Sequence, residues 1–264
     1  MKVFLTGATG AAGLGALRVL LSDNSVSHVT YLGRRPLPSW VVLPGGTSAT
    51  DKSPTHPKLS TIEHKDFLTY PRTLKEKLAE HDACIWALGT SSVGMSEEKY
   101  TEITLGYFDA LLDALKEMGV GTAESPFRVV FVSGMGADSK ETSRVLFERV
   151  KGRAENNLIK AAMESGGRLE ATIMRPGYFF PSKAYPQDAL NQRDFKLRVA
   201  DKFLGAPLSL FWPAGIVSVE QIGQFSLEAA RGRWVGMGGP VFENKEMKTL
   251  LKTLNVPNRS HEEL

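Results

Sequence analysis

Apolar residues along this chain fall into short runs, and between the runs they recur at every third or fourth position. The short runs read as buried strands, and the recurrence near 3.6 reads as helices with one buried face. On that basis strands are predicted over 2–6, 29–32, 61–64, 83–88, 128–132 and 169–174, with helices over 11–22, 72–80, 97–118 and 143–165. Such alternation predicts an α/β fold with right-handed crossovers and a doubly wound parallel sheet. Residues 36–60 are rich in Pro, Ser, Thr and Gly without periodicity and read as a long surface loop. After Met174 the alternation fades into loops and a few helices. We expect one compact domain, with residues 1–175 as its core and 176–264 as a small C-terminal segment. Ligands of such sheets bind beyond the carboxyl ends of the strands, so that segment is expected to shape a substrate pocket.

Composition changes this picture little. A chain of 264 residues can bury a sizeable core, and 42% hydrophobic with 23% charged residues is ordinary for a globular protein. A formal charge of +3, with the signs interspersed, supplies no basic field, so neither nucleic acid nor an anionic membrane is expected as a partner. The apolar stretch 204–219 is broken by Pro207 and Pro213 and is too short to span a bilayer. It reads as core or pocket wall, and no integral membrane segment is expected. The single cysteine, Cys84, lies in an apolar run; it excludes a disulfide framework and reads as a small buried hydrophobe in a reducing compartment. The first residues read as a core strand rather than a secretory signal, and a cytoplasmic location is expected. No metal site is expected.

The candidate chemistry begins where the first strand meets the first helix. Gly7, Gly10 and Gly13 are spaced three apart in Thr6-Gly7-Ala8-Thr9-Gly10-Ala11-Ala12-Gly13. Glycine there permits a tight turn and a close backbone approach, and the helix start offers free N–H groups and a positive dipole end to a pyrophosphate. A plain glycine-rich βα turn is the simpler reading, but strand before and helix after make this a Rossmann-type dinucleotide loop. The second strand ends in Leu32-Gly33-Arg34-Arg35, where an NAD site usually places a carboxylate. Two guanidinium groups suit a 2′-phosphate instead, so NADP is the expected cofactor, against a merely solvated basic turn. Asp66 and Phe67 follow the third strand, where a carboxylate can meet the adenine amino group and an apolar ring can cover it. A helix cap near Leu68 is the competing role for Asp66. Leu88, Gly89 and Thr90 end the fourth strand on the small residues that a backbone lying against a cofactor needs.

With these pieces in place the sequence resembles the short-chain dehydrogenase/reductase superfamily, in its atypical branch. The glycine loop matches the superfamily fingerprint. Leu88-Gly89-Thr90, Phe131-Val132-Ser133-Gly134-Met135-Gly136-Ala137-Asp138, Val150-Lys151-Gly152 and Met174-Arg175-Pro176-Gly177 look like the oxidoreductases named for binding the viral transactivator Tat and like related fungal proteins. Lys202-Phe203-Leu204-Gly205 and Ile216-Val217-Ser218-Val219-Glu220 fit the same branch. The resemblance implies a serine at the end of the fifth strand and a Tyr-x-x-x-Lys on the next helix. In that scheme the tyrosine exchanges a proton with the substrate, and the lysine binds the ribose and lowers the tyrosine pKa. Lys151 matches the lysine, but Phe147 stands where the tyrosine would, with Arg144 and Glu148 beside it. Ser133 is present, while the position most members use is the next, Gly134. No tyrosine occurs between Tyr107 and Tyr178, so no small shift of register restores the motif.

The function expected is therefore an NADP-dependent oxidoreductase for a small carbonyl or alcohol substrate with a substitute proton donor. The catalytic candidates are Ser133, Lys151 and Tyr178, with a water held by Ser133 and Lys151 as a further route and with Tyr185 and Tyr107 behind them. The expected cofactor contacts are Gly7, Thr9, Gly10, Ala11, Ala12, Gly13, Arg34, Arg35, Asp66, Phe67, Leu88, Gly89, Thr90, Lys151 and Pro176. A redox-neutral isomerase or cyclase in an apolar pocket lined by Phe179, Phe180, Phe203, Leu208, Leu210, Phe211 and Trp212 is the alternative, although the same residues also read as core. A non-enzymatic NADP-sensing interaction protein is the third reading. The expected partner is a fairly apolar small molecule. A homodimer and association with mitochondria are left open, and no amphipathic presequence is seen.

Overall fold

Val3 and Leu5 of the first strand point to one side of the sheet and Phe4 to the other, and the neighbouring strands repeat this period of two. Ala83, Ile85, Val130 and Val132 join the first face; Cys84, Trp86, Val129 and Phe131 join the second. Strands buried on both faces belong to a parallel sheet covered by helices on each side. The structure is a computed structural model and describes residues 1–47, 52–193, 198, 199, 201, 203, 207 and 210–254.

Seven strands, β1 (Lys2–Thr6), β2 (His28–Gly33), β3 (Leu59–Glu63), β4 (Ala83–Trp86), β5 (Phe127–Val132), β6 (Leu169–Arg175) and β7 (Val241–Glu243), lie in the order β3-β2-β1-β4-β5-β6-β7, each pair parallel. The order reverses between β1 and β4, the switch point beyond whose carboxyl ends ligands of such sheets bind. Helices that frame the sheet include α1 (Ala11–Ser22), α2 (Arg72–Ala79), α3 (Glu97–Thr101), α4 (Tyr107–Met118), α5 (Leu146–Glu164), α6 (Pro186–Gln192), α7 (Val219–Ala230) and α8 (Asn244–Thr253). On the first face α1 packs with α7 and α8 through Leu14, Leu17, Ile222, Phe225, Met247 and Leu251. On the second, α4 and α5 cover the sheet with Phe108, Leu111, Val150 and Leu158. No helix among the described residues is long and apolar enough to cross a membrane.

Two expectations need correction here. The helix expected over 97–118 is interrupted by a π-helical turn, Glu102–Gly106, between α3 and α4. The C-terminal segment does more than fold over an edge: it supplies β7 to the sheet and α7 and α8 to the first core face. Val217 and Val219, at the end of the apolar run read over 204–219, are buried, whereas the large apolar residues described before them in that run are not. Phe203, Leu210 and Phe211 are 72%, 74% and 82% exposed, so they form neither core nor an enclosed lining. Trp212 is also exposed, its ring beside Gly215, while Phe179 and Phe180 are half-buried. Leu208, with Lys202, Leu204 and Gly205 of the motif read there, lies outside the described residues.

Candidate active site

The glycine loop closes on itself before it can hold anything else. Gly7 has φ +71°, the left-handed region that favours glycine, and a Cβ there would lie 2.3 Å from the Ala87 carbonyl oxygen at the end of β4. The Gly10 N–H donates to the Gly7 carbonyl at 3.0 Å, and α1 starts with Gly10 as an N-cap that makes no side-chain bond. Thr9 and Gly10 are exposed, and the first turn of α1 holds no acidic residue. A helix start with open N–H groups and no anion of its own is a fit for a pyrophosphate, and Ala11, Ala12 and Gly13 carry those groups.

Two contacts around this loop escaped the sequence. The buried Tyr31 ring lies against Gly33, and its hydroxyl bonds Thr9. Burial raises that phenol's pKa, while Arg34 and the Thr9 bond oppose the rise. From the other side the Gln192 amide at the end of α6 donates to the Thr9 carbonyl at 3.4 Å. Arg34 and Arg35, just beyond β2, are exposed, and neither forms an ion pair among the described residues. Lys99 adds positive charge close to Arg34.

The third-strand pair separates. Asp66 accepts from the Leu68 N–H at 3.0 Å and the Thr69 hydroxyl at 2.8 Å, and the Thr69 bond leads the lowering of its carboxyl pKa. It caps its own turn; no helix begins at Leu68, since α2 starts at Arg72. Phe67 points inward: it is fully buried among His64, Tyr70, Trp86 and Tyr107 and presents no face to a ligand.

Leu88, Gly89 and Thr90 lead from the switch point to the catalytic candidates. The Leu88 N–H donates to the buried Thr6 hydroxyl at 3.2 Å, and a Cβ on Gly89 would lie 3.9 Å from Lys151 Nζ. Lys151 itself is buried, donates to the Val132 carbonyl at 3.0 Å and lies 4.7 Å from the centre of the Phe131 ring. Burial lowers its pKa to about 8, while Glu155 acts the other way. Ser133, also buried, donates its hydroxyl proton to Glu155, and the Pro176 carbonyl accepts from the Met135 N–H at 2.9 Å. Gly7, Leu88, Gly89, Ser133, Lys151 and Pro176, predicted from separated motifs, thus lie along the ends of β1, β4, β5 and β6.

Phe147 and Gly134 turn out to be one feature. A Cβ on Gly134 would lie 2.6 Å from Phe147 Cζ, so the ring tip occupies the space a side chain at 134 would need. A ring with no hydroxyl and a residue with no side chain meet where the resemblance would have put two hydroxyl groups. Gly134→Ser should destabilise the protein by about 1–3 kcal/mol through overpacking, and most of that cost should vanish in a Phe147→Ala background. Urea denaturation of the four proteins of this cycle measures the coupling.

Tyr178, just after β6, bridges to Ile216, and no bond joins it to Ser133 or Lys151 among the described residues. Its hydroxyl donates to Asp201, whose other oxygen lies 3.3 Å from Arg193 Nε. Burial, reinforced by Asp201, raises its pKa to about 12, the reverse of what a proton donor near neutrality needs. Tyr185 lies under the Arg18 guanidinium at 3.6 Å, and the Tyr107 hydroxyl faces Glu102.

No family model matches the chain. It is similar over nearly its whole length to Protein FMP52-1, mitochondrial, of Scheffersomyces stipitis, 26% identical over 258 residues that make up 96% of this chain and 100% of that one. A short-chain dehydrogenase of Burkholderia cenocepacia solved with NADP superposes with a TM-score of 0.61 at 13% identity, covering 98% of this chain and 94% of the other. UDP-glucuronic acid 4-epimerase of Bacillus cereus, solved with NAD, gives 0.62 at 13% identity, covering 98% and 85%. Seven parallel strands, the glycine loop at the switch point and these superpositions together give the chain the fold of the short-chain dehydrogenase/reductase superfamily.

Proposed function

We propose that the protein is an NADP-dependent oxidoreductase of a small, fairly apolar carbonyl or alcohol substrate, with a proton donor other than the usual tyrosine. The observation that carries this reading is the strip joining the uncapped start of α1, through Gly89, to the buried Lys151 and Ser133. Gly7, Thr9, Gly10, Ala11, Ala12 and Gly13 would hold the pyrophosphate, Arg34 and Arg35 the 2′-phosphate, and Leu88, Gly89, Thr90, Lys151 and Pro176 the nicotinamide half. Asp66 is left at the rim near the adenine end. When bound, the nicotinamide supplies or takes up a hydride; everything else falls to the chain's own side chains. In this reading residues 1–175 carry the nucleotide and 176–264 the substrate side. The superposed structures bind NAD or NADP, and the Scheffersomyces relative is named as mitochondrial, which supports the cofactor class and leaves mitochondrial association within the proposal. A homodimer is compatible with it.

The Arg34→Ala/Arg35→Ala variant tests the cofactor. Calorimetry should give NADPH binding weakened about tenfold or more per guanidinium removed, as expected for bonds to a charged group, with NADH binding little changed. Equal, weak binding of both nucleotides by the unaltered protein would overturn the assignment. The redox-neutral reading draws on one observation, the Phe147 ring tip against Gly134, which takes both hydroxyl groups out of the site. Substrate turnover without nucleotide oxidation would favour it.

A further inference from the structure

The catalytic strip contains a carboxylate that neither the sequence motifs nor the usual scheme of such sites employs. Glu155 lies one helical turn beyond Lys151 on α5, is 1% exposed, and is bonded by side chains from the ends of β5 and β6. It accepts the Ser133 hydroxyl proton from the end of β5. It accepts from Arg175 of β6 through Nε at 3.0 Å and Nη2 at 2.5 Å, and Arg175 in turn reaches Glu243 of β7 at 2.8 Å. A carboxylate taken out of water remains charged only when it is paired and hydrogen-bonded this thoroughly. The groups that face Lys151 are therefore Glu155 on its own helix, the Phe131 ring and Val132 carbonyl from β5, and Gly89 from the end of β4. The Arg175 charge behind Glu155 is shared with Glu243.

This arrangement commits the hydroxyl groups of the proton-donor candidates Ser133 and Tyr178. The Ser133 O–H donates to Glu155, the Tyr178 O–H donates to Asp201, and Phe147 has no hydroxyl. Of the three catalytic candidates only the Lys151 ammonium keeps N–H groups beyond the one bonded to Val132. We propose that Glu155 is the positioning residue of the active site: held by Arg175, it fixes the Ser133 hydroxyl through its O–H and sets a carboxylate one helical turn from Lys151, the group that exchanges a proton with the substrate. The exchange balances simply. An Nζ–H bond breaks as the substrate O–H bond forms, the pair stays on nitrogen as the lone pair of a neutral amine, and solvent restores the proton. The substrate step rests on the oxidoreductase reading; the control of Lys151 by Glu155 does not.

The test reads Lys151 directly and needs no nucleotide. Competitive acetylation across a pH series, with the Lys151 peptide quantified by mass spectrometry, should give a midpoint near 8 for the unaltered protein. Glu155→Gln removes the anion that favours the ammonium, so the midpoint should fall by about one pH unit. A purely structural Glu155 would lower the melting temperature and leave the midpoint where it was, which would overturn the proposal. If Glu155→Gln does not fold, Glu155→Asp retracts the charge by one methylene and should lower the midpoint by less; no movement there would overturn it equally. Ser133→Ala keeps the carboxylate and should not lower the midpoint, and a fall as large as that of Glu155→Gln would assign the effect to the serine instead. NADPH binding by the unaltered protein is measured in parallel: its absence would sink the cofactor reading while leaving the midpoint result standing.

Discussion

Asp188→Ala should lower stability by about 3–5 kcal/mol and the melting temperature by roughly 6–20 °C. Asp188 of α6 and Arg18 of α1 form a bidentate pair, Nη1 to Oδ2 at 2.5 Å and Nη2 to Oδ1 at 2.9 Å, with side chains 3% and 8% exposed. The same guanidinium lies 3.6 Å above the Tyr185 ring and donates through Nε to the Val42 carbonyl at 2.9 Å. One cation thus fastens the helix of the glycine loop, the loop after β2 and the first helix of the C-terminal segment. Removing the carboxylate leaves a buried charge without its counter-ion, and that loss exceeds anything the pair contributes relative to an apolar substitute. The double variant Arg18→Met/Asp188→Leu should accordingly recover most of the stability that Asp188→Ala loses. Thermal unfolding of the three proteins decides the matter; equal losses in the single and double variants would mean that the bonds themselves, rather than the orphaned charge, hold α6 in place.

Little of that fastening was visible in the sequence, and the reason is physical. Period-two and 3.6-residue patterns report which face of an element is buried. They gave β1 and α1 at their observed bounds and the other five core strands within a few residues. Glycines with fixed spacing report a backbone requirement, so the switch point between β1 and β4 was legible as well. Contacts between residues far apart in the chain leave no such trace. Arg18 reads as an ordinary polar break in an apolar helix until Asp188, 170 positions later, comes to rest beside it. Glu155 reads as a solvated helix residue until Ser133 and Arg175 close around it. β7 was missed because three residues, Val241–Glu243, carry too little alternation to stand out. Phe67 was misplaced for the opposite reason: an apolar residue at a strand end fits a ligand face and an aromatic core equally well, and the cluster with Trp86 and Tyr107 decided between them. The loss of the usual tyrosine was legible, whereas its pairing with Gly134 emerged only from the distance between them.

The glycine loop shows how one motif divides into separate physical tasks, and a pair of substitutions should tell them apart. Gly13→Val should cost about 3 kcal/mol of stability. A Cβ at Gly13 would lie 2.2 Å from the Gly7 carbonyl oxygen, 2.6 Å from its carbon and 3.0 Å from the Ala8 nitrogen, all backbone atoms of a turn already closed by the Gly10 N–H. Relief would require α1 to lift away from the end of β1, against its packing on α7. Gly10→Ala meets only the Gly7 oxygen, at 3.4 Å, on a residue whose φ of −84° any side chain tolerates. Its cost as an N-cap change should stay below about 1 kcal/mol. The exposed face of Gly10 is nonetheless where a pyrophosphate would approach the first N–H groups of α1, so Gly10→Ala should weaken NADPH binding about tenfold or more while leaving the melting temperature nearly unchanged. Circular dichroism and calorimetry on the two variants separate the outcomes. If Gly10→Ala binds NADPH as tightly as the unaltered protein, the three glycines serve the packing of α1 on β1 and nothing more, and the dinucleotide reading loses its main support.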